Sequence, residues 1–358
     1  MVKIFAVKTI SGNPYDAMDT TFVSIFSRLD PKRAEYLTDV PESFKEVGAL
    51  RVMGLRHKNA FMRLIEKILL MRRVRPDWLF GYGSALDLPF ILCKPRGTKY
   101  VINYHSILIR RSTRDWPVRT PWFLRRFIMR RADVIVAISE FARQTIRAEF
   151  PHGRVELIYS GVDTGFFSPE KRDRGALGAK YGISFAKPLI VYVGSLQTRK
   201  RPDIFIAVAR LCPQFDFCMV GKGDAAFLAL ASDLHNFKYV ERMDREDVAR
   251  LFASADAFLF PSLYEPFGLV VVEAMASGLP VIVSASGAFP ELVHDGIDSR
   301  LIPVGIDDGR ACAAALSALL SDDALFKSLS KNAVSAAARF SWDATAKGYE
   351  QLLLGRNP

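Results

Sequence analysis

The chain contains no long hydrophobic run. Its most apolar stretch, Phe267 to Ser286, is broken by Glu273, Gly278 and Pro280, whereas a bilayer-spanning helix needs ~18 uninterrupted apolar residues. The opening segment MVKIFAVKTI has no apolar core followed by a small-residue cleavage site. It reads as a buried strand and not as a secretory signal, which predicts a cytoplasmic location. Cysteine is scarce. Cys93, Cys212, Cys218 and Cys312 are scattered and form no C-x-x-C pair, which argues against a zinc site and for reduced, buried thiols. There is no internal repeat of fixed period and no low-complexity tract, so solenoids and disordered linkers are excluded as the main architecture.

What is present is an ordinary globular composition in an uneven charge arrangement. Half of the 358 residues are hydrophobic and 24% are charged, and this length favours two domains, each with its own core. The net charge of +11 divides sharply. Residues 1–165 carry 28 Lys+Arg against 16 Asp+Glu, a balance of +12, and residues 166–358 carry 21 against 22, a balance of −1. A basic face confined to one half points to an anionic partner of that half.

Short apolar runs alternate with helical windows. MVKIFAV, DWLFGY, KYVINYH and DVIVAIS are strand-like in the first half, and LIVYVGS, FDFCMVG, KYVER, AFLFPS and PVIVSAS in the second. They are rich in Val, Ile, Phe and Tyr without strict alternation, as in strands covered on both faces. Helical windows lie at Lys58 to Arg75, Glu140 to Glu149, Pro202 to Leu211, Glu246 to Ala253 and Leu269 to Ser277. The pattern predicts two doubly wound parallel α/β domains. Ser160 to Tyr181, with turn residues and a charge run but no periodicity, reads as the linker. A final helix from Phe340 to Leu354 places Trp342, Ala346, Tyr349 and Leu353 on one face.

The strongest local signal is AFLFPSLYEPFGLVVVEAMASGLPVIVS. A strand ends at Phe260, a loop carries Pro261, Glu265, Pro266 and Gly268, and a helix follows. In open α/β sheets, ligands bind beyond the carboxyl ends of strands, where helix N-termini offer free N–H groups to anions. Glu265 and Glu273 bracket this turn, eight positions apart. Neither carboxylate suits a phosphate, but both can accept hydrogen bonds from sugar hydroxyls on either side of a diphosphate. The alternative is a plain strand–helix crossover with solvated glutamates. Against that, Glu273 stands among Val270, Val271, Val272 and Ala274, where a carboxylate needs donors.

E-P-F-G-L-V-V-V-E resembles the E-x7-E signature of the family 4 glycosyltransferases. Other stretches agree in order: LIYSGVDTGFFSP with the interdomain segment (Ser160 replacing the usual Asn), VYVGSLQTRKRPD with the donor-domain loop, MVGKGD with the following G-x-G, then SGAFPELVHDG, ADVIVAISEFARQ and FSWDATAKGY. The resemblance covers about residues 76–350 and is most specific over 155–300. It implies the GT-B fold: two facing Rossmann-like domains, here 1–165 for the acceptor and 166–340 for the nucleotide-sugar donor, with residues 341–358 crossing back as a helix onto the first. It implies retaining transfer of a hexose from a nucleotide-diphosphate sugar, which is a substrate and not a cofactor, to a glycan, lipid-linked or small-molecule acceptor in the interdomain cleft. The implied route is front-face attack, with the leaving phosphate taking the acceptor proton.

By the same resemblance, Glu273 binds ribose hydroxyls and Glu265 those of the transferred sugar. Phe267, Gly268 and Leu269 form the turn, with the Gly268 and Leu269 N–H groups facing the diphosphate. Lys200 neutralises the diphosphate, assisted by Arg199, and Gly194, Gly221 and Gly223 end the neighbouring strands. Many relatives carry Arg where this chain has Ser195, so Arg199 either replaces that charge or leaves it missing. No D-x-D pair stands at a strand end near the donor loop. Cationic side chains and a helix N-terminus then make a divalent metal unnecessary for the leaving group. A sugar-nucleotide 2-epimerase of the same fold, or a degenerate transferase serving as a scaffold or anionic-polymer binder, are the competing readings.

In the first half, His105 follows a strand, and in the family that His lies next to the transferred sugar. The opening loop SGNPYDAMDT departs from the family's paired glycines, leaving Gly12 alone to approach the diphosphate, and Asp16 and Asp19 are assigned no role. Basic clusters run from Arg51 to Arg75 and from Arg110 to Arg131, the second interleaved with Trp116, Trp122, Phe123 and Phe127. Such a pattern fits anionic lipid at the inner membrane face, single-stranded nucleic acid or a solvated surface. The family's lipid-linked acceptors favour lipid, and no nucleic-acid partner is expected.

Overall fold

The computed structural model describes residues 1–7, 17–38, 49–52, 55, 59–104, 121–305 and 308–355. The chain forms two compact units, Met1–Gly161 with Trp342–Pro358, and Val162–Ser341.

The first unit is built on seven strands: β1 (Val2–Ala6), β2 (Ala34–Thr38), β3 (Leu50–Val52), β4 (Trp78–Gly81), β5 (Lys99–Tyr104), β6 (Val134–Ala137) and β7 (Val155–Leu157). They lie in the order β3-β2-β1-β4-β5-β6-β7, every neighbouring pair parallel. Parallel neighbours require crossovers, which here include α1 (Ala17–Phe26), α2 (Ala60–Val74), α3 (Leu88–Cys93), α4 (Trp122–Arg130) and α5 (Glu140–Glu149). Local chemistry sets the helix ends. Asn59 caps α2 by accepting from the Phe61 and Met62 N–H groups, and the Ser139 side chain caps α5 through Ala142.

The last helix, Trp342–Leu354, belongs to this unit. Trp342, Ala346, Tyr349 and Leu353 are all buried, and Tyr349 joins an aromatic cluster with Phe26 and Phe80. The Thr345 hydroxyl donates to the Tyr159 carbonyl (2.8 Å) and the Trp78 indole N–H to the Leu353 carbonyl (3.1 Å). Helix and unit are thus tied by apolar burial and by hydrogen bonds at both ends of the helix.

In the second unit, β8 (Leu189–Val193), β9 (Asp216–Val220), β10 (Phe237–Val240), β11 (Ala257–Phe260), β12 (Val281–Ser284) and β13 (Ser299–Ile302) form a parallel sheet in the order β10-β9-β8-β11-β12-β13. Its helices are α6 (Arg174–Tyr181), α7 (Pro202–Leu211), α8 (Ala226–Ala229), α9 (Arg245–Ser254), α10 (Leu269–Ala276), α11 (Phe289–Leu292), α12 (Asp308–Ser321) and α13 (Asp323–Ala337). Ile190, Val191, Phe258, Leu259, Val281 and Ile282 are fully buried, which accounts for the unbroken apolar runs of these strands. The strand order reverses between β8 and β11, so their carboxyl ends flank a crevice suited to a ligand.

Two expectations need correction. The segment read as a linker, Ser160 to Tyr181, contains α6. The Asp173 side chain caps that helix through Ala176, and Gly182 closes it in the left-handed region. Its signal was hidden because only Leu177 on it is buried. Of the four thiols, Cys93 is half-buried, being the last residue of α3; the other three are buried, and all are free. Among the described residues no helix is long and apolar enough to cross a membrane.

Candidate active site

The loops that leave β8 and β11 carry the site. After β8 the chain passes Gly194 and Ser195 and enters a single 3-10 turn, Thr198–Lys200. After β11 it passes Ser262 and Glu265 and enters α10 through Gly268, whose φ of 101° only glycine adopts readily. No side chain caps α10. The Val271 and Val272 N–H groups donate back to the Gly268 carbonyl (2.9 and 3.4 Å), so among the described residues the N–H groups left free for an anion are those of Gly268 and Leu269, at the very start of the helix.

The two loops are fastened together. The Leu263 N–H donates to the Arg199 carbonyl (2.7 Å), and the Ser262 hydroxyl lies within reach of that carbonyl (3.2 Å) and of Glu265 Oε1 (3.3 Å), its one proton serving either acceptor. Arg199 Nη1 in turn donates to Glu265 Oε1 (2.9 Å), and Lys200 Nζ lies 3.9 Å from the same oxygen. Glu265 is 7% exposed, and a carboxylate so enclosed is tolerable because cations and a hydroxyl surround it. Lys200 also stands over the Phe260 ring at 5.4 Å. Burial pulls its ammonium below the usual lysine range, with Glu265 opposing the shift and Arg199 adding to it. Arg201, the third member of the basic run, turns away to pair with Asp308 (3.1 Å) and Asp203 (3.3 Å).

Glu273 has a different environment. It lies in the second turn of α10, flanked by buried Val272 and Ala274. Among the described residues its carboxylate has no hydrogen-bond or salt-bridge partner. Burial raises its pKa to about 7, the charge of Arg245 opposing the shift. A carboxyl group held there without donors keeps its hydrogen-bonding capacity unused.

The remaining named residues fall into place around this centre. Gly221 and Gly223 follow β9 and allow its loop to lie against the loop after β8: the Leu196 N–H donates to the Lys222 carbonyl (3.0 Å), and a Cβ at Gly221 would overlap the Gly194 carbonyl. The Phe267 side chain points into the interior and meets Phe340 edge-on at 5.6 Å. Its ring is thus a packing element, and the backbone beside it forms the turn. Ser195 offers its carbonyl to the Tyr192 hydroxyl (3.2 Å). Gly12 and His105 lie outside the described residues.

One residue was not singled out from sequence. Gly287, at φ 59°, passes directly over Glu265, and the Ala288 N–H donates to the Glu265 carbonyl (3.0 Å). A glycine 22 positions from a glutamate carries no local sign of that contact. Among the described residues no three His, Cys, Asp or Glu side chains gather as a metal site.

Residues 173–336 match the family model described as Glycosyl transferases group 1, and residues 21–166 match that described as Glycosyltransferase Family 4. A D-inositol 3-phosphate glycosyltransferase of Mycolicibacterium gilvum (strain PYR-GCK) is 32% identical over 211 residues, covering 55% of this chain and 46% of the relative. The chain spans about half the length of the curated relatives it matches. Among solved structures, a sucrose-phosphate synthase from Thermosynechococcus elongatus superposes with a TM-score of 0.79 at 21% identity, covering 98% of both chains. Anabaena HepE, solved in complex with UDP and glucose, superposes with a TM-score of 0.76 at 19% identity over the full length of both chains. The fold is the α/β GT-B arrangement of two parallel-sheet units.

Proposed function

Because the chain belongs to the family 4 glycosyltransferases, we propose that it is a retaining hexosyltransferase that uses a nucleotide-diphosphate sugar, held by the second unit. The observation that carries this reading is the uncapped N-terminus of α10, with Glu265 just before it and the unpartnered Glu273 inside it. The diphosphate lies on the free N–H groups of Gly268 and Leu269, and Lys200 supplies the cation. Glu273 accepts from the ribose, and Glu265 from the hexose. Solved HepE structures contain UDP and UDP-glucose, which supports a donor of that chemical class.

Charge on the leaving diphosphate grows as the glycosidic bond breaks. A fixed ammonium and a helix N-terminus already aimed at it lower the barrier, so we propose that no divalent metal is needed. The first unit takes the acceptor, a carbohydrate or a lipid-linked or small molecule. Peripheral attachment to anionic lipid fits the exposed surface of that unit. Trp122 and Phe123 are 60% and 70% exposed on α4, beside Arg126, Arg130 and Arg131. Phe61, Ile65 and Leu69 are exposed along α2, beside Arg72 and Arg73.

A panel of UDP-, GDP- and ADP-hexoses, followed by thermal melting, identifies the donor, since a ligand selective for the folded state raises its stability by mass action. Incubation of the stabilising donor with candidate acceptors, with and without EDTA, should then give a product whose anomeric configuration matches the donor. An inverted product, or loss of turnover in EDTA restored by magnesium, overturns that part of the mechanism. Epimerised donor in the absence of acceptor identifies an epimerase instead, and no stabilisation by any member points to a binding scaffold.

A further inference from the structure

We infer that Arg199 is a positioning residue that holds Glu265 by one carboxylate oxygen and so presents the other, Oε2, to the transferred sugar. This rests on the donor site proposed above. Among the described residues, every polar contact to that carboxylate falls on Oε1: Arg199 Nη1 at 2.9 Å, the Ser262 hydroxyl at 3.3 Å and Lys200 Nζ at 3.9 Å. Among the described residues, Oε2 receives no hydrogen bond.

Arg199 is itself restrained from both ends. Its carbonyl is held by the Leu263 N–H, with the Ser262 hydroxyl within reach, and its Nη1 also reaches the Tyr264 carbonyl at 3.4 Å. Main chain and side chain thus clasp the loop that carries Glu265, while the Ala288 N–H bonds that loop from the other side. A planar guanidinium spreads its donors over a fixed fork and can bind a carboxylate and a carbonyl together, which a lysine ammonium on a flexible stem does less well.

The arrangement assigns the neighbouring cations different tasks. Arg199 is committed to a buried carboxylate, so Lys200 and the α10 N-terminus are left to meet the diphosphate. A single free oxygen in a fixed direction also selects among sugars. A hexose whose hydroxyl reaches Oε2 satisfies it, whereas an epimer that turns the hydroxyl away leaves an enclosed acceptor unpaired, and sites of this kind discriminate strongly.

The test is calorimetric titration of the full chain with a nucleoside diphosphate alone and with the corresponding gluco- and galacto-configured nucleotide sugars. Wild type is compared with Arg199→Gln, Arg199→Lys, Glu265→Gln and the double variant Arg199→Gln/Glu265→Gln. Nucleoside diphosphate affinity should stay within about threefold in Arg199→Gln, which also reports that the site is folded. Affinity for the preferred nucleotide sugar should fall about tenfold or more, as for loss of a hydrogen bond to a charged group. The preference between epimers should shrink in parallel, with Arg199→Lys intermediate. In the Glu265→Gln background, Arg199→Gln should have no further effect. Equal losses for the diphosphate and the nucleotide sugar would place Arg199 on the phosphates and overturn the inference, as would unchanged epimer preference or additive effects in the double variant. If wild type binds no nucleoside diphosphate and no nucleotide sugar, the donor site itself is wrong and this inference falls with it.

Discussion

Gly287 lies so close to Glu265 that a side-chain carbon on it would stand 2.6 Å from the Glu265 amide nitrogen and 2.7 Å from its carbonyl oxygen. The glycine belongs to the loop after β12 and the glutamate to the loop after β11, so their contact sets how far the carboxylate reaches into the site. Gly287→Ala should therefore displace Glu265 and lower kcat/KM for the donor about tenfold or more. Gly296→Ala is the control. Its φ is 71° but nothing lies within 4 Å, so it incurs a similar backbone cost of roughly 1–2 kcal/mol without the clash. Steady-state kinetics and melting of both variants separate the two effects. Equal kinetic losses would show that strain alone, and not the approach to Glu265, matters.

Glu273 should make both stability and donor binding depend on pH. Its carboxyl pKa is raised from 4.5 to about 7 in the folded chain, so the native state holds the proton more tightly than the unfolded state. The stability tied to that proton is present at low pH and is lost as pH rises from about 4.5 through 7. Glu273→Gln should melt with wild type near pH 4.5 and above it at pH 8, by about 3 kcal/mol at most. With the proposed ribose contact made by the charged form, wild-type affinity should decline below pH 7, approaching tenfold per pH unit. Thermal melts and titrations over pH 5–8 check both slopes, and a flat affinity profile would remove Glu273 from the ribose contact.

Lys200→Ala should reduce turnover about a hundredfold while changing the donor Kd less than tenfold, because charge on the leaving diphosphate develops toward the transition state. Pre-steady-state kinetics with a separately measured Kd decide this. A raised Kd with unchanged turnover would mean that Lys200 binds ground and transition states alike.

The basic first unit should bring the chain to vesicles containing anionic lipid, and this binding should weaken steeply with salt. Trp122→Ala/Phe123→Ala should abolish the salt-resistant fraction, because apolar insertion is not screened. Co-sedimentation with anionic and neutral vesicles across a salt series provides the readout. Equal binding to neutral vesicles, or none to anionic ones, would make these aromatics and arginines ordinary surface.

How far the sequence alone reached depended on burial. Strands β1, β4, β5, β6, β8, β9, β11 and β12 lie in apolar runs because they are buried on both faces, whereas the edge strand β10, mostly unburied, was legible from its aromatic and β-branched residues alone. The strands it missed, β2, β3, β7 and β13, lie at or next to a sheet edge. They are short or alternate with solvent, as in Ala34–Thr38, where every second residue is buried, and so leave no apolar run. In the site, Glu265, Gly268 and Glu273 sit on one turn and its helix, where spacing is informative. The clasp between Arg199 and Glu265 joins residues 66 positions apart, and no local pattern records which of three consecutive basic residues turns toward the carboxylate and which toward Asp308.

The return of Trp342–Leu354 to the first unit makes the second unit an insertion within the first. Residues 162–341 run without interruption, so this unit has its whole sequence as soon as Ser341 is synthesised. The first unit is still lacking Tyr349, the ring that packs against both Phe26 and Phe80. Folding during synthesis should therefore run against the usual order, in which N-terminal domains finish first. Chains stalled on the ribosome with residues up to 341 outside the exit tunnel should resist protease over 162–341 and remain cleavable within 1–161. Protection arising in the opposite order would show that the first unit closes its core without its final helix.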